Sequence, residues 1–387
     1  LTLFLIAIAL LVFLSHFLLV IGKLYFNREN LRPQDQPHNS QLPLLAVVIP
    51  ARNEELNIER CVTSLLNQTY PQKKYRIIVV DDNSSDNTQS IVQRLKEKHP
   101  NLKLTGAGPL PEGWSGKNNA CRKGAEIADG KWYCFIDADI YAQPELLETA
   151  VTFAENNRID MLSINPLQEL VTTSERLFLP GIFLSIASSM NFKHVNDTSR
   201  PETGANGQFM LFRQKVYESI NGHYSVRNEI MEDMAFAKIV KNSGYRIYWI
   251  FGENLISTRM YRDISHIWEG FSKNLAEIMR KQNPVESVYD AVKSFLLAWM
   301  PLLLTFWTFY YLNNGMDTVL NYLAFGFFVS GTAAMFIMSL FVVRALKIPF
   351  GYAFSIPLGF TLHTLLTINS LWGMKKGKRL WKGRIYP

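Results

Sequence analysis

An α/β fold built on a mainly parallel sheet, with membrane-spanning segments around it, is predicted by three observations. Short apolar runs at residues 44–49, 77–80 and 133–136, with a further strand expected at 102–105, alternate with stretches of helical periodicity. Each of these runs gives way to polar residues, and long apolar segments stand near the two ends of the chain. Continuous apolar strands fit burial on both faces, and strand–helix alternation fits a parallel sheet covered by helices. The polar residues then collect along one sheet edge, where open α/β folds bind their ligands.

In chain order, residues 1–22 form a nearly unbroken apolar run followed by Lys23 and Arg28, long enough to span a bilayer and with no small-residue cleavage site after it. It is expected to be an uncleaved anchor that leaves the next domain in the cytoplasm. Residues 23–43 are polar and Pro-containing, a linker to a catalytic domain over 44–260.

The first strand runs into Pro50-Ala51-Arg52-Asn53-Glu54-Glu55 and a helix through Leu66. The second ends in Asp81-Asp82-Asn83-Ser84-Ser85-Asp86, where Ser84 or Ser85 is the expected N-cap of a helix reaching Lys98. After the third strand a loop, 106–116, brings Lys117 to the start of a helix over 118–128.

The strand at 133–136 stops at Asp137-Ala138-Asp139. Side chains at i and i+2 of an extended segment point the same way, so both carboxylates can face one cation. An all-oxygen site suits Mg²⁺ or Mn²⁺, which share their remaining positions with substrate phosphates. Capping of the turn before a helix near Pro144 is the structural alternative for the same two acids.

Further on, 161–165 is another strand. Residues 177–190 are apolar but too short to span, and contain Pro180 and Gly181, which fits an interfacial or re-entrant helix. Gly204-Ala205-Asn206-Gly207-Gln208 permits tight turns and close approach of backbone to a ligand, or a plain hairpin turn. Glu232 and Asp233 precede a helix over 234–242 that Gly244 ends. As acids at a helix N-terminus they match its dipole, and one of them is placed to act as a general base.

Ile264, Ile267, Trp268, Phe271, Leu275, Ile278 and Met279 form one stripe of a basic amphipathic helix in the region 261–294, expected in the membrane interface with Trp268 at headgroup level. Packing on the soluble domain is its alternative. Three apolar segments follow within 295–372, at 295–312, 319–343 and 350–371. The last holds Pro357 and Gly359, so it is expected to be re-entrant or broken, returning the basic tail, 373–387, to the cytoplasmic side.

The net charge of +7 comes partly from that tail, which reads as an anionic-lipid-facing flank and not as a nucleic-acid patch. Three cysteines without metal-ligand spacing fit reduced, structural thiols. No GxGxxG follows the first strand and no GxxxxGK[ST] occurs, which disfavours a dinucleotide fold or a P-loop.

Taken together, the stretches at 47–55, 79–86 and 135–139 and the pair Glu232-Asp233 resemble the family 2 glycosyltransferases of the GT-A fold. The resemblance covers roughly residues 44–281. It looks closest to the membrane-bound branch of carotenoid, hopene-associated and ceramide glycosyltransferases. Gly113-Trp114-Ser115-Gly116-Lys117, the segments 204–208 and 270–274, and Trp381-Lys382-Gly383-Arg384 point to the carotenoid and hopanoid members.

That resemblance implies that Pro50, Arg52 and Glu54 line the nucleotide pocket, with Asp81 or Asp82 reading the uracil of a UDP-sugar donor. Asp137 and Asp139 would hold the ribose and the metal on the diphosphate, and Lys117 would reach the phosphates. Asp233 would be the base with Glu232 beside it, and Asn206, Gly207, Gln208, Trp268 and Lys273 would belong to the acceptor or sugar pocket. The processive members carry Q/R-x-x-R-W after the base, whereas this chain reads Ser265-His266-Ile267-Trp268-Glu269, without the arginine. The implied activity is inverting transfer of a single hexose from a nucleotide-diphosphate sugar, UDP-glucose first, to a membrane lipid such as a carotenoid, hopanoid or sphingolipid-like acceptor. A multi-pass cell-membrane location with a cytoplasmic catalytic domain goes with it. A processive polysaccharide synthase and a non-catalytic nucleotide-sugar-binding membrane protein are the alternatives.

Overall fold

The computed structural model describes residues 29–33, 42–188, 191–281, 283–316, 318–376, 379–381 and 384–386. The expected anchor over 1–22 lies outside the described residues, as do most of the linker and part of the basic tail. The described residues divide into an α/β unit, Arg28–Glu169 with Phe192–Met260, and a helical unit drawn from Leu170–Asn191 and Tyr261–Pro387. Residues 170–191, inside the expected 44–260 domain, thus belong to the helical unit.

The α/β unit is organised by a seven-stranded sheet. Its strands are β1 (Leu45–Ala51), β2 (Tyr75–Asp81), β3 (Leu102–Gly106), β4 (Trp132–Ile136), β6 (Met161–Asn165), β8 (Phe209–Arg213) and β9 (Ile247–Phe251), in the order β3-β2-β1-β4-β8-β6-β9. The first four are mutually parallel, β8 runs antiparallel to both β4 and β6, and β9 is parallel to β6. A smaller sheet joins β5 (Ile140–Ala142), β10 (Ile256–Thr258) and β7 (Leu167–Gln168).

Strand alternation divides the core in two. Val47, Ile49, Ile77, Val79, Cys134 and Ile136 face one apolar cluster, while Ala46, Val48, Ile78, Val80, Tyr133 and Phe135 face another. This two-sided burial is why the strands read as unbroken apolar runs. On the first face lies α1 (Ile58–Leu66), which buries Ile58, Cys61, Val62, Leu65 and Leu66, spaced i, i+3, i+4, i+7 and i+8. The other helices of the unit are α2 (Thr88–Lys96), α3 (Gly116–Glu126), α4 (Leu146–Asn156), α6 (Phe192–Asn196), α7 (Gln214–Ser219) and α8 (Glu232–Asn242).

Neither Ser84 nor Ser85 caps α2, which starts later than expected. The cap position is Asn87, whose side chain makes no cap bond, and one residue earlier Asp86 Oδ1 accepts the Thr88 N–H (3.0 Å) and hydroxyl (2.6 Å).

The helical unit contains α5 (Thr173–Ser188), α9 (Ile264–Lys281), α10 (Pro284–Asn313), α11 (Val319–Ala345) and α12 (Ile356–Lys376). Helices α5 and α12 meet at Gly181 and Gly359, where a β-carbon on either would come within 2.6 Å of the other segment's backbone. The stripe on α9 is covered by protein of its own unit: Ile267, Phe271, Leu275 and Met279 are buried in one cluster with Leu362 and Leu366, while Ile264 and Trp268 stay exposed. The expected break at Pro357 and Gly359 does not occur. A 3₁₀ segment, Phe350–Ser355, precedes α12, and Pro357 sits in the first turn, where its missing N–H breaks no helical bond.

Candidate active site

The turns after β1 and β2 lock onto each other. Both set an asparagine in the left-handed region, Asn53 at φ 51° and Asn83 at φ 55°, which asparagine tolerates better than most residues. Arg52 Nη1 donates to the carbonyls of Asp82 (2.6 Å) and Asn83 (3.0 Å). In return, the Ser85 N–H donates to Asn53 Oδ1 (2.9 Å), the Asn53 N–H to Ser84 Oγ (3.0 Å), and the Glu54 N–H to Thr88 Oγ1 (2.7 Å). Half-buried Pro50 closes β1 just before this turn.

Asp81 and Asp82 are both buried at the end of β2. Asp81 Oδ2 accepts the Ser84 N–H (3.3 Å), whereas its Oδ1 is buried with no hydrogen-bond partner among the described residues. A buried carboxylate oxygen in that state calls for an outside N–H or O–H donor.

At the end of β4, a lysine gathers the acids. Lys117 Nζ lies 2.7 Å from Asp137 Oδ1 and 2.7 Å from Glu232 Oε1. Ser115 places it there, since its hydroxyl accepts the Asn118 N–H (3.2 Å) and so caps α3 one turn ahead of the lysine's first neighbours. Burial alone would lower the Lys117 ammonium, but the charges of Asp137 and Glu232 outweigh it and hold the lysine well above its usual value.

Asp233 stands beside Glu232 in the first turn of α8. Its Oδ2 accepts the Gly207 N–H (2.8 Å) and its Oδ1 the Met234 N–H (2.8 Å). Burial, then the charge of Glu232, push its carboxyl up to about 6, although Lys117 and the two N–H groups pull the other way. Gly207 lets the acids come close: a β-carbon there would stand 3.1 Å from Glu232 Oε1 and 3.4 Å from Asp233 Oδ2, so both carboxylates would have to shift by a few tenths of an ångström.

The loop 204–208 is held by side chains. Asn206 Nδ2 donates to Asn165 Oδ1 (2.6 Å), the Asn206 N–H to Ser163 Oγ (2.7 Å), and the Gln208 N–H to Asn206 Oδ1 (2.9 Å). The Gln208 carbonyl accepts the Asp137 N–H (3.2 Å), which ties this loop to the acids of β4. Gln208 Oε1 accepts from Gln168 Nε2 (3.1 Å), while its own Nε2 is buried without a partner among the described residues.

Cys61, on α1, lies beneath the β4 acids with its Sγ 3.7 Å from the Asp137 carbonyl. Burial first, then the charges of Asp139, Glu54 and Asp137, push its thiol up. Trp268 and Lys273 belong to α9 of the helical unit.

Sequence reasoning missed Asn118. It is fully buried, and its Nδ2 donates to the carbonyls of Val226 (2.6 Å) and Glu229 (2.9 Å), fixing the chain that leads into Glu232 and Asp233. The one available signal was the pair Asn118-Asn119 on the inward side of a helix with few apolar residues.

The donor set fits a hard divalent cation. Asp137 and Asp139 offer oxygen at the end of one strand, and no group of three or more His, Cys, Asp or Glu able to hold a metal occurs among the described residues. Two carboxylates without a third protein ligand are what a Mg²⁺-type ion uses when phosphates complete its shell.

Comparison with known proteins agrees with this geometry. Residues 46–220 match the family model described as Glycosyl transferase family 2. A 4,4'-diaponeurosporenoate glycosyltransferase of Staphylococcus haemolyticus is 27% identical over 262 residues, 67% of this chain and 68% of that protein. Its Staphylococcus aureus counterpart is 26% identical over 66% of each chain. A glycosyltransferase of Haloferax volcanii is 31% identical over 33% of this chain and 40% of its own length. Among solved structures, a mannosyltransferase of Pyrobaculum calidifontis in complex with GDP-Man and Mn²⁺ superposes with a TM-score of 0.53 at 19% identity, covering 96% of this chain and 99% of that one, which shows a shared fold. The sheet order, the acids at the strand ends and the matched segment agree: residues 46–220 are similar to glycosyl transferase family 2, on a fold shared with the solved mannosyltransferase.

Proposed function

We propose that the protein is an inverting glycosyltransferase that moves one hexose from a nucleotide-diphosphate sugar, UDP-glucose first, to a membrane-dissolved polyene or other polyisoprenoid lipid. The observation that carries this reading is the convergence of Lys117, Asp137, Glu232 and Asp233 at one edge of the sheet. Similarity to the staphylococcal 4,4'-diaponeurosporenoate glycosyltransferases supports a carotenoid-type acceptor. Three helices long and apolar enough to cross a membrane support an acceptor drawn from lipid.

Asp81, with its unpartnered Oδ1, would take a nucleobase N–H. Arg52 sets the loop around that base by holding the carbonyls of Asp82 and Asn83. Asp137 and Asp139 would hold a divalent cation, whose chemistry is to neutralise the departing diphosphate. Lys117 would add a point charge to the same phosphates. Asp233, held toward neutral pH and fixed by two N–H donors, would take the proton of an acceptor hydroxyl as that oxygen attacks the anomeric carbon and the nucleoside diphosphate leaves. Glu232 would pair with Lys117 and keep that lysine in place.

Membranes containing the protein, incubated with labelled UDP-glucose, UDP-galactose or GDP-mannose, should give one labelled lipid carrying a single sugar. Chelation should stop the reaction, and added Mg²⁺ or Mn²⁺ should restore it. Labelled polysaccharide, or sugar release without transfer, would overturn the reading.

A further inference from the structure

Strand β6 carries two polar side chains among apolar ones. Ser163 and Asn165, two positions apart, point to the same face of the sheet, the one on which Met161 packs with Phe236, Ala237 and Val240 of α8. Ser163 is fully buried, and a hydroxyl there is costly unless it is hydrogen-bonded. It is bonded twice to one residue: Ser163 Oγ accepts the Asn206 N–H (2.7 Å) and donates to the Asn206 carbonyl (3.1 Å). The ladder between β6 and β8 ends at the pair Ser163–Met210, and beyond it this hydroxyl serves the backbone of Asn206 as a neighbouring strand would.

Both ends of the Asn206 amide are also taken up within the protein. Its Nδ2 donates to Asn165 Oδ1 (2.6 Å), and its Oδ1 accepts the Gln208 N–H (2.9 Å). The chain is thereby fixed on either side of Gly207. From that stretch two bonds leave for the acids of the site. The Gly207 N–H donates to Asp233 Oδ2 (2.8 Å), and the Gln208 carbonyl accepts the Asp137 N–H (3.2 Å). Asp233 opens a helix and Asp137 follows a strand almost a hundred positions earlier, so residues 206–208 set one acid against the other.

We infer that Ser163, Asn165 and Asn206 are positioning residues: they hold the Gly207 N–H on Asp233 and the Gln208 carbonyl on Asp137, and Asn206 makes no contact with the sugar. This departs from the acceptor or sugar pocket in which the family resemblance puts Asn206. It rests on the proposed transfer, with Asp233 as the base.

The test uses the full chain. Ser163→Ala removes both hydroxyl bonds without adding volume, and Asn165→Leu takes the acceptor from Asn206 Nδ2 at nearly constant size. Each should lower kcat for transfer from UDP-glucose by roughly 10- to 100-fold, the weight of a misplaced catalytic group. The acid limb of the pH–rate profile should move to higher pH, because the Gly207 N–H pulls the Asp233 carboxyl down. Asn206→Ala should weaken the binding of UDP-glucose and of UDP by the same factor, since a loosened Asp137 affects both and only one carries the sugar. Hydrogen exchange at the amides of residues 204–208 should quicken in all three variants while the rest of the sheet exchanges as before, which separates a loosened loop from a folding defect. Transfer at the unmodified rate, an acid limb that stays in place, unchanged exchange in the loop, or a loss of UDP-glucose affinity in Asn206→Ala that UDP does not share would each overturn the assignment. Faster loop exchange in the variants of a chain that transfers no sugar would support the hold on the loop and count against the transfer reading.

Discussion

At the scale of single residues, Lys117 decides which acid does what. It pairs with Glu232 directly and acts on Asp233 only through space, and Asp233 is left near the pH at which a base can both hold and release a proton. The signs follow from who pushes: Glu232 raises the Asp233 carboxyl and Lys117 lowers it. With a hydroxyl acceptor, transfer should therefore fall as pH drops through about 6. Glu232→Gln should move that acid limb to lower pH and Lys117→Met to higher pH, read from pH–rate profiles at saturating donor. A limb that both variants leave in place would exclude Asp233 as the titrating base. Asp233→Asn should cut the rate by roughly 10²–10⁴-fold, the usual weight of a positioned base.

The same carboxyl makes folding depend on pH. Its folded value of about 6 lies above the ordinary 3.8, so the folded state binds more protons between them. Its contribution therefore favours folding below about 4 and is lost as pH rises toward 6. Asp233→Asn should flatten stability over that window. Asp81, Asp82, Asp137 and Asp139 were legible in the sequence because they follow apolar runs, and Glu232 and Asp233 because they open a helix. Their division of labour was not, since it depends on a lysine more than a hundred positions away in the chain.

At the scale of elements, the start of α3 is the joint of the site. Asn118 donates to the carbonyls of Val226 and Glu229 from a fully buried position, and Ala there would leave both without that donor. Asn118→Ala should cost about 1–3 kcal/mol, measured by thermal unfolding, and should raise the donor KM by loosening the segment that ends in Glu232. Unchanged stability would mean that water replaces the amide at no loss. The long strands and helices of the sheet stood out in the sequence because burial on both faces leaves a run of apolar residues. Strands β5, β7 and β10, of two or three residues each, are too short for any period, and only their pairing reveals them. The cap of α2 was misplaced for a related reason: Ser84 and Ser85 look like caps, but both are taken by the neighbouring turn through Asn53.

For the whole molecule, the apolar helices differ in what covers them. The buried share of their apolar stretches rises from 11% in α10 to 33% in α11 and 56% in the segment Phe350–Gly373. The polar residues follow that order, since Thr364, Thr367 and Ser370 of α12 are buried among protein, whereas α10 turns outward Leu303 (55%), Phe306 (70%) and Trp307 (60%). So large an apolar surface is stable only against lipid or another protein. Phe306 lies well inside α10, and a lysine there would place its charge in hydrocarbon if that helix spans a bilayer, costing about 3 kcal/mol on insertion scales. Phe306→Lys should therefore reduce the fraction that floats with membranes and resists alkaline carbonate extraction, while the unmodified chain stays in the pellet. Ser272, whose carbonyl accepts from Ser370 inside the bundle, gives a contrast: its change to Ala should leave extraction as it was. A Phe306→Lys protein that is soluble and monodisperse without detergent would show that α10 faces water, and the acceptor would then have to reach the site by some route other than the bilayer.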